Sequence, residues 1–488
     1  MRANRTFIGL LAIAGACAAQ DFHPAIPRAW DDKEVAVFET PLAQRDRSPR
    51  YMTAEEYYRL AVRPIYRSYL VYAPGREPAG YIESLKQKEP EIIFDASRLR
   101  TKEEWIQAGK LVFEAETLFS PAPAGGRAVN PGLPIAADGT LPFFDFFNRY
   151  YIRKKGVLEV GRNACAGCHT RVMADGSFLE GAQGNTPTPP ASLQTARTLS
   201  PAAFQQRAEN NWILFGAPWV KAKEEFLKAL SQDVYAAQLA ARTSDTFARQ
   251  GTSWSHPPHV PSLIGIQDRK FLDATGLVRQ RSVADIMRYA IVNQGLDGIA
   301  HYGDFQPSPT GTAFSSDPGT RYSDEQLYAL GLYLYSLKPP ANPNPLDDRA
   351  RHGEQIFQRQ GCGGCHTPPF YTNNKLTPAL GFEIPGDLLK SGDVLNVSVG
   401  TDPVLAMQTR RGTGFYKVPD LRGVWYRSGF GHGGWAATLE EWLDPARLKD
   451  DYAPKGFHLA PGPVKGHPFG LTLSPADRTA LISFLKTL

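Results

Sequence analysis

Four of the five cysteines fall into one string written twice: Cys165-Ala-Gly-Cys168-His169 and Cys362-Gly-Gly-Cys365-His366. A Cys-x-x-Cys-His run marks c-type haem attachment. The two thiols add to the vinyl groups of haem, and the adjacent imidazole comes to lie under the iron as its axial ligand. Small residues between the cysteines let the backbone curl against the porphyrin edge, and glycine tolerates the tight turn best. A zinc site made from two Cys-x-x-Cys pairs would leave the histidine after each pair unexplained. A thioredoxin-like redox pair needs a βαβ setting that neither motif has. The sequence therefore calls for two covalently bound haem c groups, attached at Cys165, Cys168, Cys362 and Cys365, with His169 and His366 as iron ligands.

The surroundings of the two motifs also repeat. Gly109-Lys-Leu-Val-Phe113 precedes the first and Gly353-Glu-Gln-Ile-Phe357 the second, with an insertion of roughly fifty residues before Cys165. Val260-Pro-Ser-Leu-Ile-Gly-Ile266 follows one and Val418-Pro-Asp-Leu-Arg-Gly-Val424 the other. Each half closes on an amphipathic helix opened by a serine cap, at Ser323 and at Ser474. Helix, attachment motif, long ligand loop and closing helix make up the plan of a cytochrome c domain. A chain of 488 residues has room for two or three domains. We expect a mainly α fold with long loops: a first cytochrome c-like haem domain over 106–338, a Pro-rich linker, and a second over 346–488. Residues 20–105 form a helical N-terminal extension, with capped helices at Thr53 and Thr101, that packs around the first domain.

Arg2 and Arg5 followed by an apolar run to Ala16 and small residues to Ala19 read as a signal peptide over 1–19. Cys17 leaves lipoprotein processing open, although Ala14 stands where such signals carry Leu. The chain is then periplasmic or secreted, with no transmembrane anchor. Lys and Arg are scattered and the formal charge is only +5, which gives no nucleic-acid surface.

A family resemblance enters with Lys417-Val-Pro-Asp-Leu-Arg-Gly-Val-Trp-Tyr-Arg, Gly431-His-Gly-Gly-Trp and Thr438-Leu-Glu-Glu-Trp. This order of motifs resembles the C-terminal signature of the bacterial dihaem cytochrome c peroxidase and MauG superfamily, over about residues 105–488. The added length looks closer to the rubber-oxygenase-like branch. The resemblance implies a peroxidase- or oxygenase-like oxidoreductase, a periplasmic electron donor or acceptor, and peroxide, O₂ or an organic substrate. It also suggests a calcium ion between the two domains. One departure stands out: where the peroxidases carry Phe-Trp-Asp-Gly-Arg, this chain has Phe271-Leu272-Asp273-Ala-Thr-Gly276, and Leu272 cannot relay an electron as an indole can. Trp219 and Trp254 are the candidates to replace it.

For the far side of the second haem, Gly466-His467-Pro lies where the peroxidases place a ligand before the closing helix, so His467 is the expected sixth ligand. His432 is the other candidate, although by resemblance it belongs to the domain-interface motif. For the first haem, His256 and His259 in Trp254-Ser-His-Pro-Pro-His-Val are the candidate ligands or catalytic residues, with an open iron face as the alternative. Met287 reads as core and His301 as a loop residue. Three activities fit: peroxide or O₂ activation at the first haem with electron transfer through the second, electron transfer alone, or oxygenation of an apolar substrate.

Overall fold

Two helix crossings, built alike, organise the chain. The computed structural model describes residues 21–122, 135–141, 149–187, 190–307 and 319–488. Within it the Lys102–Glu114 helix packs on Asp324–Ser336, and Asp348–Arg359 packs on Pro475–Lys486. A Cβ at Gly109 would collide with the Ala329 carbonyl, and one at Gly353 with the Ala480 carbonyl. Only a residue without a side chain lets the backbones approach this closely. One turn further along, Phe113 meets Tyr333 at 5.2 Å and Phe357 meets Phe484 at 5.3 Å, ring centre to ring centre. The repeated Gly-x-x-x-Phe spacing thus encodes one contact twice: glycine at the crossing, and phenylalanine one turn on along the same face.

The first crossing lies in the larger core, where Phe113, Leu327, Leu330 and Tyr333 join Ala166 of the first attachment motif, with Cys165 against its edge. Trp30, Phe38, Leu42 and Tyr57 of the N-terminal region are buried in the same core. The second crossing forms a separate core of Ile356, Phe357, Leu481, Phe484 and Leu485, against which Cys362 packs. The helix starts follow their caps: Thr53, Thr101, Ser323 and Ser474 each accept a hydrogen bond from a first-turn backbone N–H.

The expectation of a mainly α fold is overturned. Helix accounts for 35% and strand for 13%, an α/β mixture. Among the described residues there are one four-stranded sheet and five two-stranded ladders. The sheet is antiparallel, in the order Ser68–Leu70, Arg149–Lys154, Val157–Arg162, Leu118–Pro121. It occupies much of the insertion before Cys165. Tyr150, Ile152, Leu158 and Val160 bury against Val71 and Leu85, and β-branched and aromatic residues suit a pleated, half-buried surface. Gly156, at φ +82°, turns the central hairpin. The N-terminal region is not a helical wrap either. Arg50–Tyr51 pairs with Ala300–His301, and Ala61–Val62 runs parallel to Thr320–Arg321, so this segment is stitched into the body by short strands.

The expected signal peptide and Cys17 lie outside the described residues. Among the described residues no helix is long and apolar enough to cross a membrane.

Candidate functional site

The second attachment motif opens onto a cavity. Cys362, Cys365, His366, His467 and Phe469 line it, and Leu439, Leu443, Leu481 and Leu485 add apolar surface. Both His366 and His467 face this space, with ring centres 6.4 Å apart and planes inclined at 55°. Two metal–imidazole bonds of about 2.0 Å, with each ring centre about 1.1 Å further out, would separate facing imidazoles by roughly 6.2 Å. The observed spacing fits a pair of axial ligands to one iron. His366 is oriented through Nδ1, which lies 3.1 Å from both the Tyr371 and Pro419 carbonyl oxygens, leaving Nε2 for the metal. Nδ1 of His467 is buried without a partner. Burial, with His366 beside it, pulls the His467 ring down to about 3, so it stays neutral, the form that ligates.

The loop presenting His467 is held under strain. His467 sits at φ +44°, a left-handed conformation costing a non-glycine residue about 1–3 kcal/mol. The buried Arg447 offsets this. Its guanidinium donates to the carbonyls of Trp442, Val464, Gly466 and His467, the last two at 2.9 Å. The His467 N–H donates to Val399 O at 2.6 Å. Sequence reading missed Arg447, because its four acceptors are backbone atoms brought together only by the fold.

The first motif repeats half of this arrangement. His169 Nδ1 lies 3.0 Å from Pro261 O, as His366 lies against Pro419. The repeated Val-Pro string therefore does a definite job: in each half its proline carbonyl orients the histidine of the attachment motif. Burial, then Arg249, lowers His169 to about 4. Arg249 donates to Asp273 at 2.7 Å and to the Tyr289 hydroxyl at 2.9 Å. Burial alone would raise Asp273, but Arg249 and Arg411 outweigh it and hold the carboxylate well below its usual range.

His256 and His259 are brought to His432 and Asp402. The His259 N–H donates to His432 O at 3.0 Å, and His259 lines the cavity of the second motif, its Nδ1 buried without a partner. His256 Nδ1 lies 3.1 Å from Ser255 Oγ, and His256 feels the charge of Asp402. His432 stacks on Tyr416 at 4.0 Å, meets Trp435 at 4.5 Å, and lies 3.1 Å from Asp402 O through Nε2. Trp254 is stacked on Tyr235 beneath Arg242, while Trp219 packs on the core that holds Ala166. Met287 is fully buried, and His301 pairs with Arg50.

Cys165, Cys168, Cys362 and Cys365 form no disulfide with one another. Burial pushes Cys168 up to about 11 and raises Cys362 and Cys365, which is the opposite of a redox-active thiolate. Among the described residues no three His, Cys, Asp or Glu side chains gather into a group that could hold a metal ion.

No protein-family model matches the chain, and no curated protein is similar to it. Among solved structures it is similar to hydrazine synthase from Kuenenia stuttgartiensis, at 12% identity over 65% of this chain and 98% of that one, with a TM-score of 0.30. It is also similar to a MauG-like protein associated with microbial copper homeostasis, at 14% identity over 66% of this chain and 92% of that one, with a TM-score of 0.32. Both likenesses are remote, and a functional reading rests on the chain's own residues.

Proposed function

We propose that the chain is an exported two-haem c-type redox protein that passes electrons through the haem at Cys362–His366 and activates peroxide or O₂ at the haem of Cys165–His169. The observation that carries this reading is the His366–His467 pair at 6.4 Å, two residues that would hold one haem iron between them and suit a centre that only changes charge. Haem supplies one-electron chemistry at each site when bound. The chain's residues divide the work. Pro419 and Pro261 orient the axial histidines, and Arg447 holds His467 in place. The half-buried Arg249, kept charged by Asp273, places a cation beside Cys168 and His169, where it would favour an anionic reactant. The loop from His169 to Val260, about ninety residues against about fifty from His366 to Val418, folds into its own helical pack around Tyr235 and Leu239. Such connections are where substrate cavities and gates are built.

Electron paramagnetic resonance of the oxidised protein, before and after one-electron reduction, tests the division. One low-spin bis-histidine signal beside a haem that binds cyanide is the expected result. If neither haem binds an external ligand in any redox state, the enzyme reading fails and a pure electron carrier replaces it.

A further inference from the structure

The wall of the second cavity carries more positive charge than the protein neutralises. Arg269, Lys375, Lys417 and Arg427 line it, and Asp420 is the only carboxylate among the lining residues. Asp420 is already engaged by Arg269. Asp273, the other carboxylate whose charge reaches Lys417, is held by Arg249 and Arg411. Lys417 makes no ion pair among the described residues, and Arg427 Nε and His259 Nδ1 are buried without partners. Burial, with the Arg269 and Arg427 guanidiniums, pulls Lys417 down to about 8. Unpaired cations at depth are costly unless an anion joins them. Another part of the lining is apolar: Phe357, Leu481 and Leu485 belong to one cluster, against which Cys362 packs. Haem c has the same polarity: its thioether edge is apolar, and the far edge carries two carboxylates.

We propose that Lys417, flanked by Arg269 and Arg427, is the carboxylate-binding end of this cavity, pairs with the haem propionates, and thereby raises the potential of the second haem. This rests on the haem reading of the cavity. Lys417 is a positioning and tuning residue. Reduction adds negative charge to the haem, so a cation at the propionates stabilises the reduced form.

The test is spectroelectrochemical titration of the fully matured protein and its Lys417→Gln and Lys417→Arg variants. Lys417→Gln should lower the midpoint of the low-spin haem so that the oxidised-to-reduced ratio at fixed potential rises about tenfold, about 59 mV for one electron. Haem content and the bis-histidine spectrum should stay unchanged, and Lys417→Arg should restore the midpoint. A wild-type midpoint in Lys417→Gln overturns the proposal. Should Lys417→Gln fail to fold, the infrared difference spectrum of oxidised against reduced wild type decides. Propionate bands of ionised carboxylates support the pairing, and bands of protonated acids overturn it. Failure of the haem reading would look different: half the haem would be missing from the wild type itself.

Discussion

The two attachment motifs share their supports and differ in what faces them. Each has a helix crossing sealed by a glycine and a phenylalanine, and in each the motif histidine rests on the carbonyl of a Val-Pro string. The second adds His467, opposite His366, on a short clamped loop. The first adds a long loop with its own helical pack and a half-buried cation, Arg249. On the proposed two-haem reading, the supports would specify attachment, and the facing loop what the attached group can do.

The sharpest way to break the comparison is to remove one attachment. Cys362→Ala with Cys365→Ala should halve the covalent haem measured after acid–acetone extraction. It should also unfold the second core, which packs directly on Cys362. Loss of the first haem as well would mean that the halves do not mature independently.

His467→Ala comes next. It should turn the low-spin signal of the second haem high-spin, raise its potential, and let it bind cyanide as the first haem does. An unchanged spectrum would move the ligand role to another residue.

The glycine crossings test whether the supports are equivalent. Gly353→Ala and Gly109→Ala each force a Cβ into a backbone carbonyl, which should cost about 1–3 kcal/mol in denaturant unfolding. Similar losses sharpen the parallel, while a large loss in only one half breaks it.

The smallest effect expected is on acid stability at the boundary between halves. Burial first, then His259, holds His432 down to about 3, whereas an unfolded histidine titrates near 6.5. Between those values the unfolded chain binds a proton that the fold excludes, so stability should fall as pH drops from about 6.5 towards 3. His432→Gln should flatten that limb of the pH–stability curve, and an unaltered limb would assign it to other groups.

Much of this was legible in the chain. The motifs, the caps at Thr101, Ser323 and Ser474, and the Gly-x-x-x-Phe repeat are local, and each carries its own physical cause. The strands were not. Ladders as short as Arg50–Tyr51 on Ala300–His301 carry no periodicity to read, since their partner is some 250 residues away. The Arg149–Arg162 hairpin did carry a signal, alternating apolar residues around a Lys-Gly turn, which the attachment motif beside it overshadowed. His467 could be proposed from its place before the closing helix, but its distance to His366 could not. Lys417 was visible only as part of a family motif. That it makes no ion pair among the described residues depends on where Asp420 and Asp273 spend their charge.

If the second site holds haem as proposed, the Arg447 clamp has a consequence for competition at its iron. Because the guanidinium and Val399 fix the backbone on which His467 stands, that imidazole needs no ordering of its loop to reach the metal. A free ligand must compete with a tethered one whose effective concentration far exceeds anything dissolved beside it. Even when displaced, His467 would stay within a side-chain rotation of its place, so occupancy by an outsider would be brief.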